Sequence, residues 1–376
     1  MAFTANAIVR MALFWFAGAI LGQQALVPIL GVCLFLPAIV LTPFVSWLID
    51  NFNNRLIALA VQLVSALAFL MVVSVEEVEV SIYWLIPLSL LFSLAASYNK
   101  SYIYSLAKHN FNDVEPLIIK LNIVSTSMMV VSPALVAIPL MWDIIPFSSL
   151  FYFSGLCHLL FAFSIWNAKD GEKERLPLVN YFGLTYREVS HSIEMRYSFY
   201  IFLLCNFSFG AIAVSLPLLI THQYGSELGG ELYSQVEMLG GALSIIVSRW
   251  FKKFEAYNVW ISVAAIASLL ACFIELSTLF LFGMAIAIFP YSVLQIVRTQ
   301  VNFFKDTPKS LGAGLRGLLT MGQALSATLS CVVVYGLIEL DANEFNLVFS
   351  AACVGGSLVL AMRLDRLMCS ASEVAL

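Results

Sequence analysis

Apolar residues occur along this chain in long blocks, most of which lack the regular polar face of an amphipathic helix. A helix on the surface of a soluble domain would show polar residues at a period of 3.6. Each block is instead long enough to cross a hydrocarbon core of about 30 Å as an α-helix. Twelve spans are predicted, near residues 3–21, 25–49, 56–75, 81–104, 117–141, 144–166, 197–221, 230–248, 258–275, 277–298, 311–338 and 345–364. The pattern predicts an all-α integral membrane protein.

A polar stretch at residues 167–196 divides these spans into six and six. We therefore predict an N-terminal half at 1–166, a hydrophilic linker at 167–196 and a C-terminal half at 197–376. The first span is short, and neither a basic region nor a small-residue cleavage site accompanies it. It is expected to be a retained membrane helix and not a signal peptide.

Composition supports this fold class. The chain of 376 residues is 61% hydrophobic and 11% charged, whereas soluble domains are about 45–50% apolar and about 25% charged. The seven cysteines form neither a CxxC pair nor a zinc-like spacing, so we interpret them as small hydrophobic residues. No metal, other cofactor or nucleic acid is expected to bind.

The placement of Lys and Arg predicts the orientation. If both termini lie inside, the outer connections hold no Lys or Arg. The inner connections hold Arg55, Lys108, Lys120, Lys169, Lys173, Arg175, Arg187, Arg196, Arg249, Lys252, Lys253, Arg298, Lys305, Lys309, Arg316, Arg363 and Arg366. Both termini and the linker are therefore predicted on the cytoplasmic side of the inner (plasma) membrane.

The two halves show a weak internal repeat. The segment Tyr98–Asp113, which leaves the fourth span, aligns with Tyr291–Asp306, which leaves the tenth. Tyr, Phe and Asp recur at matching positions, and a proline follows each segment, Pro116 or Pro308. Repeated halves of this kind are common in transporters.

The connection between the second and third spans carries a motif. It reads SWLIDNFNNR, from Ser46 to Arg55. With Asp50 and Arg55 it resembles the loop motif of the major facilitator superfamily, although asparagines and Ser46 replace other motif residues. A second element, Ser127–Ala137, has Ser132-Pro133 where antiporters of that family have Gly-Pro. The run from the second to the fifth span is most similar to the exporter branch for siderophores and macrolides.

This resemblance implies a monomeric secondary transporter with a central cavity lined by the first, fourth, seventh and tenth spans. It also implies that Asp50 and Arg55 act in conformational gating at the inner rim. A helix cap followed by a stop-transfer charge is the alternative for this pair.

Charged residues at membrane depth are the informative positions, because each costs about 2.5–3.5 kcal/mol on insertion scales. Arg10 and Lys100, with Asn99 beside it, would give the cavity a positive wall suited to an anion. Arg10 could instead snorkel to the inner surface. Glu237 is the proton-coupling candidate, because a carboxylate in an apolar environment holds its proton more tightly than one in water. A structural hydrogen bond is the alternative for Glu237.

Polar residues on the cavity-lining spans complete the predicted substrate site. They are Tyr98, Asn206, Tyr291 and Gln295. Packing within the bundle is the alternative for the aromatic residues.

Other function classes lack their motifs. Gly312–Gly317 matches GxGxxG but follows no strand, which excludes a dinucleotide site. The sequence motifs of intramembrane proteases are absent. A membrane acyltransferase is a distant alternative, and its catalytic histidine would have to be His158.

We therefore predict a proton-coupled exporter of a small anionic metabolite, such as a carboxylate siderophore, and not an enzyme. A lysophospholipid flippase and a nutrient importer of the same fold are the alternatives. The expected partners are the small-molecule substrate, protons and the lipid bilayer.

Overall fold

A computed structural model describes residues 26–52, 54–73, 82–110, 114–141, 148–166, 176–304 and 311–374. Within these ranges the chain forms thirteen helices and no strand. The first predicted span, with Arg10, lies outside the described residues.

The described helices follow the predicted spans closely. In the first half they are α1 (Leu26–Asn51), α2 (Asn54–Val73), α3 (Ile82–Asn110), α4 (Val114–Met141) and α5 (Ser148–Ile165). They continue with α6 (Leu178–His191), α7 (Ile193–Tyr224), α8 (Ser226–Arg249), α9 (Phe251–Glu255), α10 (Asn258–Ile274), α11 (Thr278–Phe304), α12 (Gly312–Glu339) and α13 (Phe345–Val374).

Five described helices are long and apolar enough to cross a membrane. They are Val27–Asn51, Ile193–Tyr224, Thr278–Phe304, Gly312–Glu339 and Phe345–Met368. Shorter apolar helices occur at Arg55–Leu70, Tyr152–Ile165 and Asn258–Ile274. These helices are those of a multi-pass membrane protein.

The helices before the linker, α1–α5, are called the first group and those after it, α7–α13, the second group, and the two groups meet mainly along two helix pairs. Within the first group, α1 packs on α3 and α2 packs on α3 and α5. Within the second, α7 packs on α8, α11 and α13, and α10 packs on α11 and α13. The main contacts between the groups are α1 with α12 and α4 with α8. A space between these two pairs is therefore bounded by both groups.

Small residues allow α1 and α12 to approach closely. A Cβ atom added at Gly317 would lie 2.8 Å from the Cβ of Ser46, closer than real Cβ atoms approach a neighbour. One at Gly314 would lie 2.6 Å from the hydroxyl of Tyr181. The glycine-rich start of α12 is thus a packing surface.

The linker contains a helix, where the sequence predicted only a hydrophilic stretch. α6 buries Tyr181, Thr185 and Val189, which recur every four residues and so share one face. Val179 and Tyr186 on its other faces are exposed. A helix with one narrow apolar face does not appear as an apolar block, which is why the block pattern missed it. We call the end of the bundle at which α6 lies the linker end.

The chain preceding α6 is held by α1. The indole Nε1 of Trp47 donates to the carbonyl oxygen of Leu176 at 2.9 Å. The side-chain oxygen of Asn51 accepts a hydrogen bond from the Leu176 amide. These bonds fix α6 against the linker end of α1.

Candidate functional site

A cavity of about 240 Å³ lies between the two groups of helices. α1, α3 and α4 line it on one side, and α7, α11 and α12 line it on the other. Its apolar wall includes Leu34, Phe35, Phe92, Phe202, Phe209 and Phe289. Its polar lining includes Ser97, Lys100, Tyr104, Asn122, Asn206, Gln300, Arg316, Thr320 and Gln323. A mostly apolar cavity with a few polar groups is typical of a small-molecule site.

Lys100 brings one positive charge to the cavity from α3. Its ammonium nitrogen donates to the side-chain oxygen of Gln323 on α12 at 3.3 Å. Lys100 is half-buried. The ammonium has three N–H groups, and this bond uses one of them.

Arg316 brings a second positive charge from α12. Its side chain is 6% exposed, and its guanidinium carbon lies 4.2 Å from the ring centroid of Tyr104. Within the described part of the chain, its Nε and Nη1 have no hydrogen-bond partner. A buried charge is costly unless it is paired and hydrogen-bonded. These two N–H groups are therefore suited to an anion.

A polar cluster beside Arg316 joins the two groups of helices. The amide oxygen of Gln300 on α11 accepts from the hydroxyl of Tyr104 at 2.8 Å. The same oxygen accepts from Nδ2 of Asn122 on α4 at 2.8 Å. All three side chains are buried. The cluster therefore bounds the cavity toward the linker end.

The charge of the described lining is positive. Lys100 and Arg316 line the cavity, and no Asp, Glu, His or Cys side chain is among the described lining residues. Across the described helices, no group of three or more such side chains is placed to hold a metal ion. The described lining favours anions over free cations.

Two of the predicted substrate residues line the cavity. They are Lys100 and Asn206, whose Nδ2 donates to the carbonyl oxygen of Phe202 at 2.8 Å. The structure does not describe Arg10.

Asn99 and Tyr98 point elsewhere, away from the described lining. The side-chain oxygen of Asn99 accepts from Nε2 of Gln62 on α2. Gln62 in turn pairs through its oxygen with Nδ1 of His158 on α5 at 2.7 Å. Tyr98 stacks on Tyr102, with centroids 5.8 Å apart. These residues pack within the first group of helices, because neighbours on a helix differ in direction by about 100°.

Tyr291 and Gln295 are likewise turned away from the described lining of the cavity. The hydroxyl of Tyr291 bonds to that of Ser357 on α13. Nε2 of Gln295 donates to the side-chain oxygen of Asn258 on α10 at 2.7 Å. The opposite face of α11, which carries Gln300, lines the cavity.

Glu237 lies in α8, away from the described lining. It is 8% exposed, and one of its carboxylate oxygens accepts from the hydroxyl of Tyr233 at 2.7 Å. Tyr233 is one turn earlier on the same helix. The predicted carboxylate is therefore buried and hydrogen-bonded, on a helix that packs against α4 and α11.

Asp50 lies at the linker end, where three elements meet. Its carboxylate accepts from the amides of Ala313 at 3.2 Å and Gly314 at 3.0 Å. It also accepts from the hydroxyl of Tyr181 at 2.7 Å. A negative charge at the start of α12 is favourable, because helix N-termini carry partial positive charge. Asp50 thus joins α1 to α12 and α6.

Tyr181 stays protonated beside this carboxylate. Burial, followed by the charge of Asp50 and the hydrogen bond to it, raises the pKa of Tyr181 far above its usual range. The hydroxyl therefore donates throughout the physiological range. Arg55, the other predicted gating residue, has its guanidinium carbon 5.5 Å from the ring centroid of Trp166.

Sequence reasoning missed several of these groups. The sequence pattern places Arg316 only among the charges of an inner connection, because it falls near the start of a span. The signal that could have identified it is the polar series Arg316, Thr320 and Gln323, which share one face of α12. Tyr181 gave no comparable signal.

Comparison with known proteins bears on the fold. The chain is similar to the crystal structure of a bacterial homologue of the iron transporter ferroportin, in an outward-facing state with soaked iron. The match covers 97% of this chain and 98% of that chain, with a TM-score of 0.61 and 14% identity. The predicted fold class, an all-helical major facilitator fold, is confirmed. No family model matches the chain, and no curated protein sequence does.

Proposed function

We propose that this chain is a secondary active transporter of a small organic anion, which binds in the cavity between the two groups of helices. The observation that carries the proposal is the pair of cations, Lys100 from one group and Arg316 from the other, lining one cavity. Because an anion bound there attracts both groups, its binding is coupled to their relative position. This is the requirement for carrying a ligand by alternating access.

The contacts at the linker end support a cycle of this kind. The Asp50 carboxylate and the Tyr104–Gln300–Asn122 cluster join the two groups on one side of the cavity. Release of the anion toward the linker end requires these bonds to break. A carrier needs such contacts in one state and not in the other.

The finer proposal is proton-coupled export of an anion such as a carboxylate siderophore. The resemblance of the run from the second to the fifth span to exporters supports the direction, and the buried carboxylate of Glu237 supports proton coupling. Moving one elementary charge through 100 mV supplies about 2.3 kcal/mol, enough to bias export. Import of a nutrient anion and flipping of a lysophospholipid would use the same cavity with a different direction or ligand.

The iron transport named for the structural neighbour does not transfer directly to this chain. A free divalent cation in the cavity would meet Lys100 and Arg316 and no described carboxylate, imidazole or thiol. Hard and borderline metal ions bind carboxylates, imidazoles and thiolates. An anionic complex of a metal would be compatible with the two cations.

The test compares secretion and uptake by cells that express the wild type, Lys100→Ala or Arg316→Gln. Lys120→Ala is the matched control, because Lys120 is exposed on α4. The proposal expects an organic anion to be secreted by the wild type and the control but not by the two cavity variants. Accumulation of that anion inside cells would indicate import, and enrichment of a lysophospholipid would indicate flipping. Equal loss of an anion and its neutral analogue in Lys100→Ala would contradict the electrostatic argument.

A further inference from the structure

We infer that the transported anion is amphipathic, with an acidic head group that binds Arg316 and an apolar body that lies among phenylalanine side chains. This inference rests on the proposed function and narrows its small organic anion to one chemical class. It is carried by the side chains of the cavity, which are polar at one end and apolar at the other.

The polar end of the cavity faces the linker end. Arg316 is in the second turn of α12, whose first amides bind Asp50 there. The guanidinium packs on the ring of Tyr104. The hydroxyl of Tyr104 donates to Gln300, which also accepts from Asn122. Polar side chains from four helices therefore close this end of the cavity.

The guanidinium of Arg316 selects the head group of the ligand. Its Nε and Nη1 have no hydrogen-bond partner among the described residues, although the side chain is buried. A buried charge with unused N–H groups is costly. An acidic group supplies both the opposite charge and an acceptor, whereas an amide or hydroxyl supplies only the acceptor. The head group is therefore expected to be acidic.

The opposite end of the cavity is lined by aromatic rings from both groups of helices. On α3, Phe92 lies about three turns before Tyr104, and on α11, Phe289 lies about three turns before Gln300. Phe209 of α7 packs edge-on against Phe289, with ring centroids 5.5 Å apart. These rings are therefore on the side of the cavity away from Arg316.

The buried core continues this apolar end. Leu34 of α1 lines the cavity and belongs, with Phe92, to a buried cluster that also includes residues of α7 and α12. Ser93 and Ser292, which line the cavity beside the rings, are small and carry no charge. A ligand at this end thus meets mainly apolar surface.

This arrangement selects the body of the ligand. An apolar body gains free energy with the area that it buries, and an aromatic one can pack edge-on against the phenylalanine rings. A hydrophilic polycarboxylate would place charge against these rings, which is costly. The cavity volume of about 240 Å³ is small for a ligand site, since such sites usually enclose about 300–1,000 Å³. The body is therefore a short aliphatic chain or a single aromatic ring.

The test uses the purified full chain in nanodiscs and isothermal titration with butyrate, hexanoate and 3-phenylpropionate, each beside its neutral amide. Titration into empty nanodiscs corrects for uptake by lipid. We expect the affinity to rise about fourfold with each methylene from butyrate to hexanoate. Each amide should bind at least about tenfold more weakly than its acid, because a hydrogen bond to a charged group is lost. Succinate, in which a carboxylate replaces the terminal methyl of butyrate, should bind more weakly than butyrate.

Variants test the two ends of the cavity separately. Phe209→Asn places a polar group at the apolar end and should remove most of the gain from butyrate to hexanoate, whereas Phe209→Leu should keep it. Phe163→Asn, which changes an exposed ring on α5, is the matched control. Arg316→Gln should weaken each acid at least about tenfold and leave its amide unchanged.

The outcomes separate this inference from the proposed function. If succinate binds as tightly as butyrate, or if chain length has no effect, the amphipathic ligand is overturned and the proposed anion transport stands. If acids and amides bind the wild type equally, or if no acid of the series binds, both are overturned. Unchanged hexanoate binding by Arg316→Gln, with folding checked by its melting curve, would overturn the assignment of the head group to Arg316.

Discussion

The hydroxyl of Tyr181 donates to the carboxylate of Asp50 across 2.7 Å, which joins the linker helix α6 to α1. The same carboxylate accepts two amides at the start of α12. α6 ends at His191, and Ser192, the next residue, caps the start of α7. Both partners of Asp50 therefore belong to chain segments that follow the first half, so this carboxylate connects the two groups of helices at the linker end.

Replacing Asp50 should impair transport without removing the ligand site. In Asp50→Asn a neutral amide replaces the carboxylate. Only one side-chain oxygen is then left to accept from the two backbone amides and the tyrosine hydroxyl. We expect the transport rate to fall while equilibrium binding of the anion stays within a few-fold, as measured by uptake and titration. Asp341→Asn, an exposed carboxylate outside this contact, is the control. Complete loss of binding in folded Asp50→Asn would indicate a direct ligand contact.

Removing the tyrosine hydroxyl should weaken closure of the linker end. Tyr181→Phe loses one hydrogen bond to a charged group, worth about 1.5–3 kcal/mol. Spin labels at Phe52→Cys and Glu188→Cys, both exposed positions, should report a larger share of long distances by pulsed electron resonance. Tyr186→Phe removes an exposed hydroxyl of the same helix and should leave the distances unchanged. An unchanged distribution in Tyr181→Phe would show that this bond does not hold the end closed.

A methyl group at Gly317 should separate α1 from α12. Its Cβ would lie 2.8 Å from that of Ser46, so the helices must move apart. Gly336→Ala on the same helix meets no neighbour within 4 Å, and both changes raise helix propensity by about 1 kcal/mol. We expect Gly317→Ala to lower the transport rate. Wild-type rates in that variant, with Gly336→Ala for comparison, would exclude a role for this close contact.

Neutralising Glu237 should uncouple transport from protons, if this carboxylate is the coupling group. Glu237→Gln keeps the size of the side chain and can still accept from Tyr233. In proteoliposomes, pH-driven transport should be lost while exchange of anion down its own gradient persists. Glu231→Gln, exposed on the same helix, should behave as wild type. Undiminished pH-driven transport would place the proton pathway elsewhere.

The topology is testable with reporter fusions. The placement of Lys and Arg predicts that a fusion after Asp170 reports the cytoplasm and one after Glu77 reports the outside. Alkaline phosphatase, which is active only after export, should be inactive when fused after Asp170 and active when fused after Glu77. The opposite pair of signals would reverse the orientation.

The fold could be predicted from the sequence because each long apolar block corresponds to one helix. A bilayer requires each span to satisfy its own backbone, so long apolar runs become helices. The helix α6 escaped this reasoning, because it has one narrow buried face inside a polar segment.

The site could be predicted only in part, because the side chains of adjacent residues on a helix point in different directions. Lys100 lines the cavity, while its neighbour Asn99 bonds to Gln62 on the other side of α3. The sequence does not predict Arg316 as a cavity residue, because a cation near the end of a span ordinarily indicates only the orientation of the chain. Asp50 binds Tyr181 and the start of α12, which both lie far from it along the chain. No local sequence pattern predicts these contacts.

The bond from Trp47 to Leu176 gives this protein an intrinsic optical signal. The indole contacts the linker only while α6 rests on α1, and its ring also packs edge-on against Phe52. When the linker end separates, the indole loses its bond to Leu176 and meets water on that side, which shifts its emission to longer wavelength. In a variant that keeps only this one of the seven tryptophans, emission colour would follow each turnover in real time, without an attached dye.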